Sequence, residues 1–163
     1  QQRAELGFDF VLEGSSLARL REACAVHGDR GLLPAALGGR SLRGMMTGKI
    51  DLVLQSGASF HVLDYKTNRL GMGLSDYAGQ HLDAAMDAHA YRLQALLYSI
   101  ALHRHLRQQL RDYDPARHLG DAIYLFVRAV GLAPGHGVWR RAFPLALIDA
   151  VDGALAHIDT TLR

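Results

Sequence analysis

The sequence is poor in several residue types and patterns, and each scarcity excludes a class of protein. It contains a single cysteine, Cys24, so no disulfide forms within the chain, and a reducing compartment suits it. No apolar run approaches the roughly 20 residues of a membrane-spanning helix, and the first residues lack a signal-peptide pattern. We therefore expect a cytoplasmic protein that has no membrane partner.

A phosphate-binding glycine loop is also missing. Gly71 and Gly73 are not followed by the lysine and hydroxyl residue that complete such a loop in ATP-driven motors. The net charge of +2 is too small to indicate a nucleic-acid partner by itself. These absences leave a globular chain of 163 residues, and we expect one domain over residues 1–163.

Lysine is the scarce cation of this chain. Of its 18 lysines and arginines, only Lys49 and Lys66 are lysines, and both lie within residues 48–68. Arginine is permanently charged and forked, whereas lysine is a compact charge whose pKa moves readily. Because the chain uses arginine for ordinary surface charge, we expect Lys66 to have a specific role.

Residues 48–68 predict a β-hairpin. The runs 48–54 and 60–68 carry alternating, β-branched and aromatic residues, and residues 56–59 between them have turn composition. A turn centred on Gly57 and Ala58 fixes which residues face each other. The predicted pairs are Leu52–Leu63, Val53–Val62, Ile50–Tyr65 and Asp51–Asp64.

This register opposes two carboxylates and adds a cation beside them. Asp51 faces Asp64 directly, and Lys66 shares the face of Asp64 by the period of two. Opposed carboxylates repel, and a divalent cation offsets the repulsion, because Mg²⁺ and Mn²⁺ suit hard oxygen ligands. A slip of one residue would put Asp51 and Asp64 on opposite faces. Surface acids that flank a turn are the alternative interpretation.

Three segments in order, GKIDLVL, LDYKTN and YRLQALLYSIALHRHLR, resemble the RecB family of nuclease domains. The spacing Asp-x12-Asp-x-Lys on a hairpin likewise resembles the core of PD-(D/E)xK nucleases. The resemblance runs from about Gly44 to Phe126. It implies an α/β, restriction-endonuclease-like fold with a central mixed β-sheet flanked by helices. It also implies that the chain is a fragment of a larger bacterial helicase–nuclease subunit.

The resemblance implies a Mg²⁺ cofactor, for which Mn²⁺ substitutes, with Asp51 and Asp64 as ligands. Lys66 would orient the attacking water or stabilise the transition state. Gln94 and Tyr98 match the family's Gln-x3-Tyr motif and share one helix face. Gln94 would hydrogen-bond to the catalytic cluster or the DNA backbone, with Tyr98 supporting it beside the DNA. A helix with one polar and one core aromatic residue is the alternative.

Further contacts are expected around this cluster. Tyr91 lies on nearly the same helix face as Gln94 and is a candidate DNA contact, with core packing as the alternative. Lys49, beside the aspartates, is a second candidate DNA contact. Glu5 corresponds to the family's upstream glutamate and is the expected third metal ligand, with a capping or surface acid as the alternative. The family's metal-binding histidine would precede Gln1.

The pattern along the chain predicts a mixed α/β order without internal repeats. The predicted elements are a strand over 5–12, a helix from Ser15 or Ser16 to 26, a loop over 27–43, the hairpin, helices over 75–85 and 86–110, strands over 122–130 and 138–143, and a helix over 144–162.

The leading hypothesis is a Mg²⁺-dependent exodeoxyribonuclease of the exodeoxyribonuclease V type. The resemblance implies action on the DNA single strand from an unwound duplex, in recombinational double-strand-break repair and degradation of linear DNA. It implies RecC- and RecD-like subunits as partners, and contact with the RecA recombinase. Two alternatives stay open: a non-catalytic docking module with a nuclease fold, and a free-standing exonuclease of the same superfamily.

Overall fold

The computed structural model of the chain describes residues 2–12, 16–27, 30–33 and 44–156. The strands are β1 (Gln2–Leu12), β2 (Gly44–Ser56), β3 (Ser59–Lys66), β4 (Leu119–Phe126) and β5 (Val138–Arg141). The α-helices are α1 (Ser16–Val26), α2 (Gly79–Ala88), α3 (Tyr91–Gln109), α4 (Pro115–His118) and α5 (Leu145–Ala156). Short 3-10 helices cover Arg30–Leu32 and Leu74–Tyr77. The predicted mixed α/β fold is confirmed.

The five strands form one sheet in the order β1-β2-β3-β4-β5. All neighbours are antiparallel except β3 and β4, which run parallel. Parallel neighbours need a crossover connection, and here it contains α2, α3 and α4. Helix α3 packs on β3 and β4, whereas α5 packs on α1, α3 and β1. The crossover therefore brings the longest helix onto the strand that carries Asp64 and Lys66.

The predicted hairpin is confirmed, but its register holds only in part. Strands β2 and β3 pair from Ser56–Ser59 to Leu52–Leu63, as predicted. The ladder stops there, so the predicted pairs Ile50–Tyr65 and Asp51–Asp64 do not form. The reason is local: Asp51 Oδ2 accepts a hydrogen bond from the Tyr65 amide at 3.1 Å. A side-chain acceptor thus takes the place of a ladder contact at this point.

Three of the elements predicted after the hairpin have wrong bounds. The helix predicted over 86–110 is broken at His89 and Ala90, and Ala90 adopts a left-handed conformation with φ of 55°. The helix predicted over 75–85 is a 3-10 turn followed by α2. The strand predicted over 122–130 ends at Phe126, because the Ala129 and Val130 amides turn back to the Phe126 carbonyl.

The first and last predicted elements agree with β1, α1 and α5 as far as the structure describes them. The Ser15 cap, most of the 27–43 loop and the end of the closing helix lie outside the described residues. Residues 30–33 of that loop include Leu32, which is buried in the core. Among the described helices, none combines the length and the apolar character needed to cross a bilayer.

His103 is a buried histidine in α3, outside the predicted site. Its Nδ1 lies 2.9 Å from the Tyr113 hydroxyl, and its Nε2 lies 3.9 Å from an Asp149 carboxylate oxygen. Burial lowers the pKa of His103 below its usual value. Among the charged groups around it, Arg107 and Arg104 lower the pKa further, while Asp149 and Asp152 raise it.

This lowered pKa predicts a loss of stability in mild acid. Below about pH 6.5 His103 binds a proton in the unfolded chain, whereas in the folded chain its lower pKa delays protonation to a more acidic pH. The free energy of unfolding therefore falls as pH drops. One such proton gives a slope of up to about 1.4 kcal/mol per pH unit. We expect His103→Gln to flatten this decline between about pH 7 and pH 5, measured by urea unfolding at a series of pH values. The same pH dependence in both proteins would contradict the assignment.

Candidate active site

The site is built around a buried ion pair on β3. Asp64 is only 3% exposed, and its Oδ2 lies 2.7 Å from Lys66 Nζ. The two residues are two apart on a strand, so both side chains point to the same face, as predicted. The separation is that of an ion pair, but Oδ2 receives no hydrogen bond of acceptable geometry from the described residues. A buried carboxylate oxygen therefore keeps unused capacity to accept.

Gln94 on α3 holds this pair in place. Its Oε1 accepts hydrogen bonds from Lys66 Nζ at 2.9 Å and from the Tyr124 hydroxyl at 3.2 Å. Its Nε2 donates to the Tyr98 hydroxyl at 2.8 Å. Two donors on one side and an acceptor on the other fix the orientation of the amide. The predicted group of Asp64, Lys66, Gln94 and Tyr98 is thus assembled by contacts between β3, β4 and α3.

Aromatic rings enclose the lysine. Lys66 Nζ lies 4.0 Å from the centre of the Tyr91 ring and 5.1 Å from that of Tyr124, both within cation–π range. The Tyr91 hydroxyl donates to Asn68 Oδ1 at 3.0 Å. Tyr91 therefore packs partly against the core and also faces the cluster, whereas its contact with DNA stays a prediction.

Tyr124 is the site residue that the sequence analysis missed. It is fully buried and sits directly beside Asp64 in the parallel β3–β4 register. Its signal in the sequence is weak: one hydroxyl within the apolar run AIYLF. A buried tyrosine hydroxyl usually has a partner, but only the crossover topology shows that the partner is Gln94.

Burial dominates the electrostatics of the cluster. It raises the pKa of Asp64, a trend opposed by Lys66 and reinforced by Asp51. Burial, followed by the charges of Asp64 and Asp51, raises the pKa of Tyr98 to about 12. Burial and the charge of Asp64 also raise the pKa of Tyr124. Both tyrosines are therefore neutral near neutral pH and keep their hydroxyl protons.

Glu5 and Lys49, two predicted site residues, lie apart from this cluster. Their side chains form an ion pair with each other at 2.7 Å, and both are more than half exposed. Glu5 has a left-handed backbone with φ of 63°, and the β1–β2 ladder skips it at the point where it would face Asp51. Strained non-glycine residues of this kind often re-aim a side chain at a functional site. Here the side chain of Glu5 is aimed at Lys49.

Comparison with known proteins assigns the family. The chain belongs to the PD-(D/E)XK nuclease superfamily, whose family model matches residues 6–161. This match covers all five strands except the first residues of β1, and it includes the Asp64–Lys66 pair.

Within that superfamily the chain is similar to RecB. It is 43% identical over 177 residues to the RecBCD enzyme subunit RecB of Mycobacterium tuberculosis (strain CDC 1551 / Oshkosh), covering 93% of this chain and 16% of that protein. It is 44% identical over 116 residues to RecB of Escherichia coli (strain K12), covering 71% and 10%. It is 40% identical over 149 residues to RecB of Mycolicibacterium smegmatis, covering 77% and 14%. The chain thus spans about a sixth or less of the length of these relatives.

The residues present fit the divalent metal that the superfamily implies. Asp64 offers a buried oxygen without a hydrogen bond, and the nearby charge of Asp51 already disfavours its ionised form. A hard cation between the carboxylates would coordinate the oxygen that has no hydrogen bond, and its charge would offset the repulsion between the two carboxylates. No three His, Cys, Asp or Glu side chains within residues 2–12, 16–27, 30–33 and 44–156 form a ready-made metal cluster. The fit therefore rests on two carboxylates, with Glu5 held elsewhere by Lys49.

A double-mutant cycle tests the role of Gln94 as the shared acceptor. We expect Tyr124→Phe to lower the free energy of unfolding by about 1 kcal/mol, because it removes one hydrogen bond. Gln94→Leu should cost about 2–3 kcal/mol, because buried donors on Lys66 and Tyr124 lose their acceptor. Adding Tyr124→Phe to Gln94→Leu should cost nothing further. Denaturant unfolding without metal gives the coupling energy, about 1 kcal/mol, and additive losses would contradict the shared bond.

Proposed function

We propose that this chain is the nuclease domain of a RecBCD-type helicase–nuclease subunit and hydrolyses DNA phosphodiesters with Mg²⁺. One observation carries the proposal: the buried Asp64–Lys66 pair, held by Gln94 on α3. Burying a charged pair costs desolvation free energy and adds little to the stability of the fold. The presence of such a pair at the end of a strand therefore favours a chemical role. The match to the nuclease superfamily supports the same role.

Asp51 and Asp64 are the proposed metal ligands, and Glu5 is the proposed third one. A divalent cation held there would supply Lewis-acid polarisation of the phosphodiester and neutralise charge that develops in the transition state. Mn²⁺ has similar oxygen preferences and is expected to substitute for Mg²⁺. Glu5 would have to leave Lys49 to join this set, and Lys49 would then be available to a DNA phosphate.

Lys66 is the proposed cation beside the reacting phosphate. Its ammonium is oriented by Asp64, by Gln94 Oε1 and by the ring of Tyr91. Lysine has three donors, so it can keep its ion pair with Asp64 and its hydrogen bond to Gln94 while a further donor orients water or contacts a phosphate oxygen. Preorganised donors of this kind act most strongly where water is excluded. Gln94 and Tyr98 therefore act on the reaction by positioning Lys66.

The proposed substrate is the single strand that leaves an unwound duplex. Backbone contacts would dominate its binding, with Tyr91 and Tyr98 beside the strand, so we expect little sequence preference. The relatives named as RecBCD enzyme subunits extend the proposal to RecC- and RecD-like subunits as partners. The resemblance to the RecB family adds exodeoxyribonuclease specificity and a bacterial cytoplasm to the proposal. Contact with the RecA recombinase is a further part of the proposal.

A docking module without catalysis is the competing interpretation. Such a module would have no need to retain both carboxylates and the lysine. This chain keeps Asp51, Asp64 and Lys66, and it positions Lys66 with several polar and aromatic contacts. Those contacts favour catalysis over docking.

Cleavage of linear single-stranded DNA in millimolar Mg²⁺ tests the proposed activity. We expect Asp64→Asn and Lys66→Gln each to lower kcat by at least about 100-fold, the scale of losing one preorganised charge or donor. Asp112→Asn is the matched control, because Asp112 is an exposed carboxylate in a turn after α3, and it should cleave like wild type. Metal-dependent cleavage that survives in Asp64→Asn would overturn the assignment of this site.

Metal titration by calorimetry tests the role of Glu5. If Glu5 joins the site, Glu5→Gln should weaken Mn²⁺ binding by roughly tenfold, the scale of losing one ligating or supporting group. Lys49→Met should strengthen binding, because it frees Glu5 from its ion pair. Unchanged Mn²⁺ affinity in both variants would show that Glu5 is a surface acid paired with Lys49.

A further inference from the structure

One face of α3 continues well beyond the catalytic cluster. Spacings of three and four residues keep side chains on the same face of a helix. The residues on this face are Tyr91, Gln94, Tyr98, Ala101, His105 and Gln108. The first three belong to the cluster, whereas the last three face a different part of the fold. With a rise of about 1.5 Å per residue, Gln108 lies about 15 Å along the helix from Tyr98.

That part of the face forms one wall of a groove against β1. The groove has a volume of about 270 Å³ and lies between residues 6–10 of β1 and the second half of α3. Its apolar side includes Phe8, Phe10 and Ala101, and its polar side includes Arg104 and Gln108. A groove that combines an aromatic side chain with polar ones suits a flat aromatic ligand that has hydrogen-bonding edges.

Phe8 connects the groove to the catalytic cluster. Its ring makes an edge contact with the ring of Tyr98, with 5.5 Å between ring centres. The ring also lies across Gly48 on the neighbouring strand, where an added Cβ would come within 2.2 Å of it. Gly48 and Tyr98 therefore hold the ring of Phe8 in one position. An aromatic ring held between the cluster and the groove is a ready stacking platform.

The charges at the rim favour a base over a phosphate in this groove. Asp9 is an exposed carboxylate that lines it and would repel a phosphate. The guanidinium of Arg104 is engaged by the Asp152 side chain and packs 4.8 Å from the centre of the Phe10 ring. Bases carry no charge, and they stack on aromatic side chains at about 1–3 kcal/mol each.

We propose that this groove, named here the β1–α3 groove, binds an unpaired nucleobase of the strand whose phosphodiester is cleaved at Lys66. Phe8 stacks on the base, and the Gln108 amide hydrogen-bonds to its edge. The inference rests on the proposed function and extends it by naming a second subsite. Phe8 contacts Tyr98 at one end of the groove, and Gln108 lies about 15 Å along α3 from Tyr98 at the other end, so the bound base lies within a few nucleotides of the reacting phosphate.

Binding of an oligothymidylate of about 12 nucleotides, and of an abasic strand of the same length, to the full chain tests this subsite, since single-strand sites of this kind span about 4–16 nucleotides. Fluorescence anisotropy is measured with Ca²⁺ in place of Mg²⁺. We expect Phe8→Leu to weaken binding of the oligothymidylate about fivefold to tenfold, and Gln108→Ala about threefold. The abasic strand should bind the variants and the wild type equally, because it has no base to enter the groove.

Gln109→Ala is the matched control, since Gln109 is the neighbouring exposed glutamine on a different face of α3. It should bind both strands like wild type. A photo-crosslink from a single 5-bromodeoxyuridine in the oligothymidylate should fall in residues 6–10 or 101–109. Its yield should drop in Phe8→Leu.

Two results would overturn the proposal, and they are distinguishable. If both variants bind the oligothymidylate like wild type while Asp64→Asn still abolishes cleavage, the groove serves another occupant, such as a peptide, and the nuclease assignment stands. If the wild-type chain neither binds nor cleaves either oligonucleotide, the nuclease proposal and the subsite fail together.

Discussion

The site depends on keeping a lysine and a carboxylate together in a nearly dry place. Removing either charge from water costs several kcal/mol, and mutual attraction repays this only when other polar contacts complete the geometry. Here Gln94 supplies an acceptor for Lys66, Tyr124 fixes the Gln94 amide, and Tyr91 covers the ammonium with its ring. The pair is thus held by side chains from α3 and β4 in addition to its own attraction. Such restraint would preorganise the charge of Lys66 for the proposed reaction.

The topology of the sheet supplies those elements. Because β3 and β4 are parallel, the chain between them must cross over, and the crossover contains α3. The same parallel register sets Tyr124 beside Asp64, while α3 brings Gln94 and Tyr98 from above. The β1–α3 groove follows from the length of α3, which extends past the cluster towards the edge strand. One crossover therefore builds both the cluster and the proposed base subsite.

Local pattern was enough to predict the pieces of this site whose geometry is local. The spacing of Asp64 and Lys66 on a strand, and of Gln94 and Tyr98 on a helix, fixes shared faces without knowledge of the fold. Family resemblance then predicted the sheet and its flanking helices.

The remaining features depend on tertiary contacts. The role of Tyr124 follows from the parallel pairing of β3 and β4. The helix breaks at Ala90 because this residue adopts a left-handed conformation, which the sequence pattern does not predict. The ladder ends early because Asp51 takes the Tyr65 amide. Glu5 pairs with Lys49, because the β1–β2 register sets Lys49 opposite Gly7, diagonally within reach of the Glu5 side chain.

The most direct test is anomalous diffraction from crystals grown with Mn²⁺. We predict a peak within coordination distance of Asp64 Oδ2 and the Asp51 carboxylate. A peak elsewhere, or none there at saturating Mn²⁺, would contradict the proposed metal site.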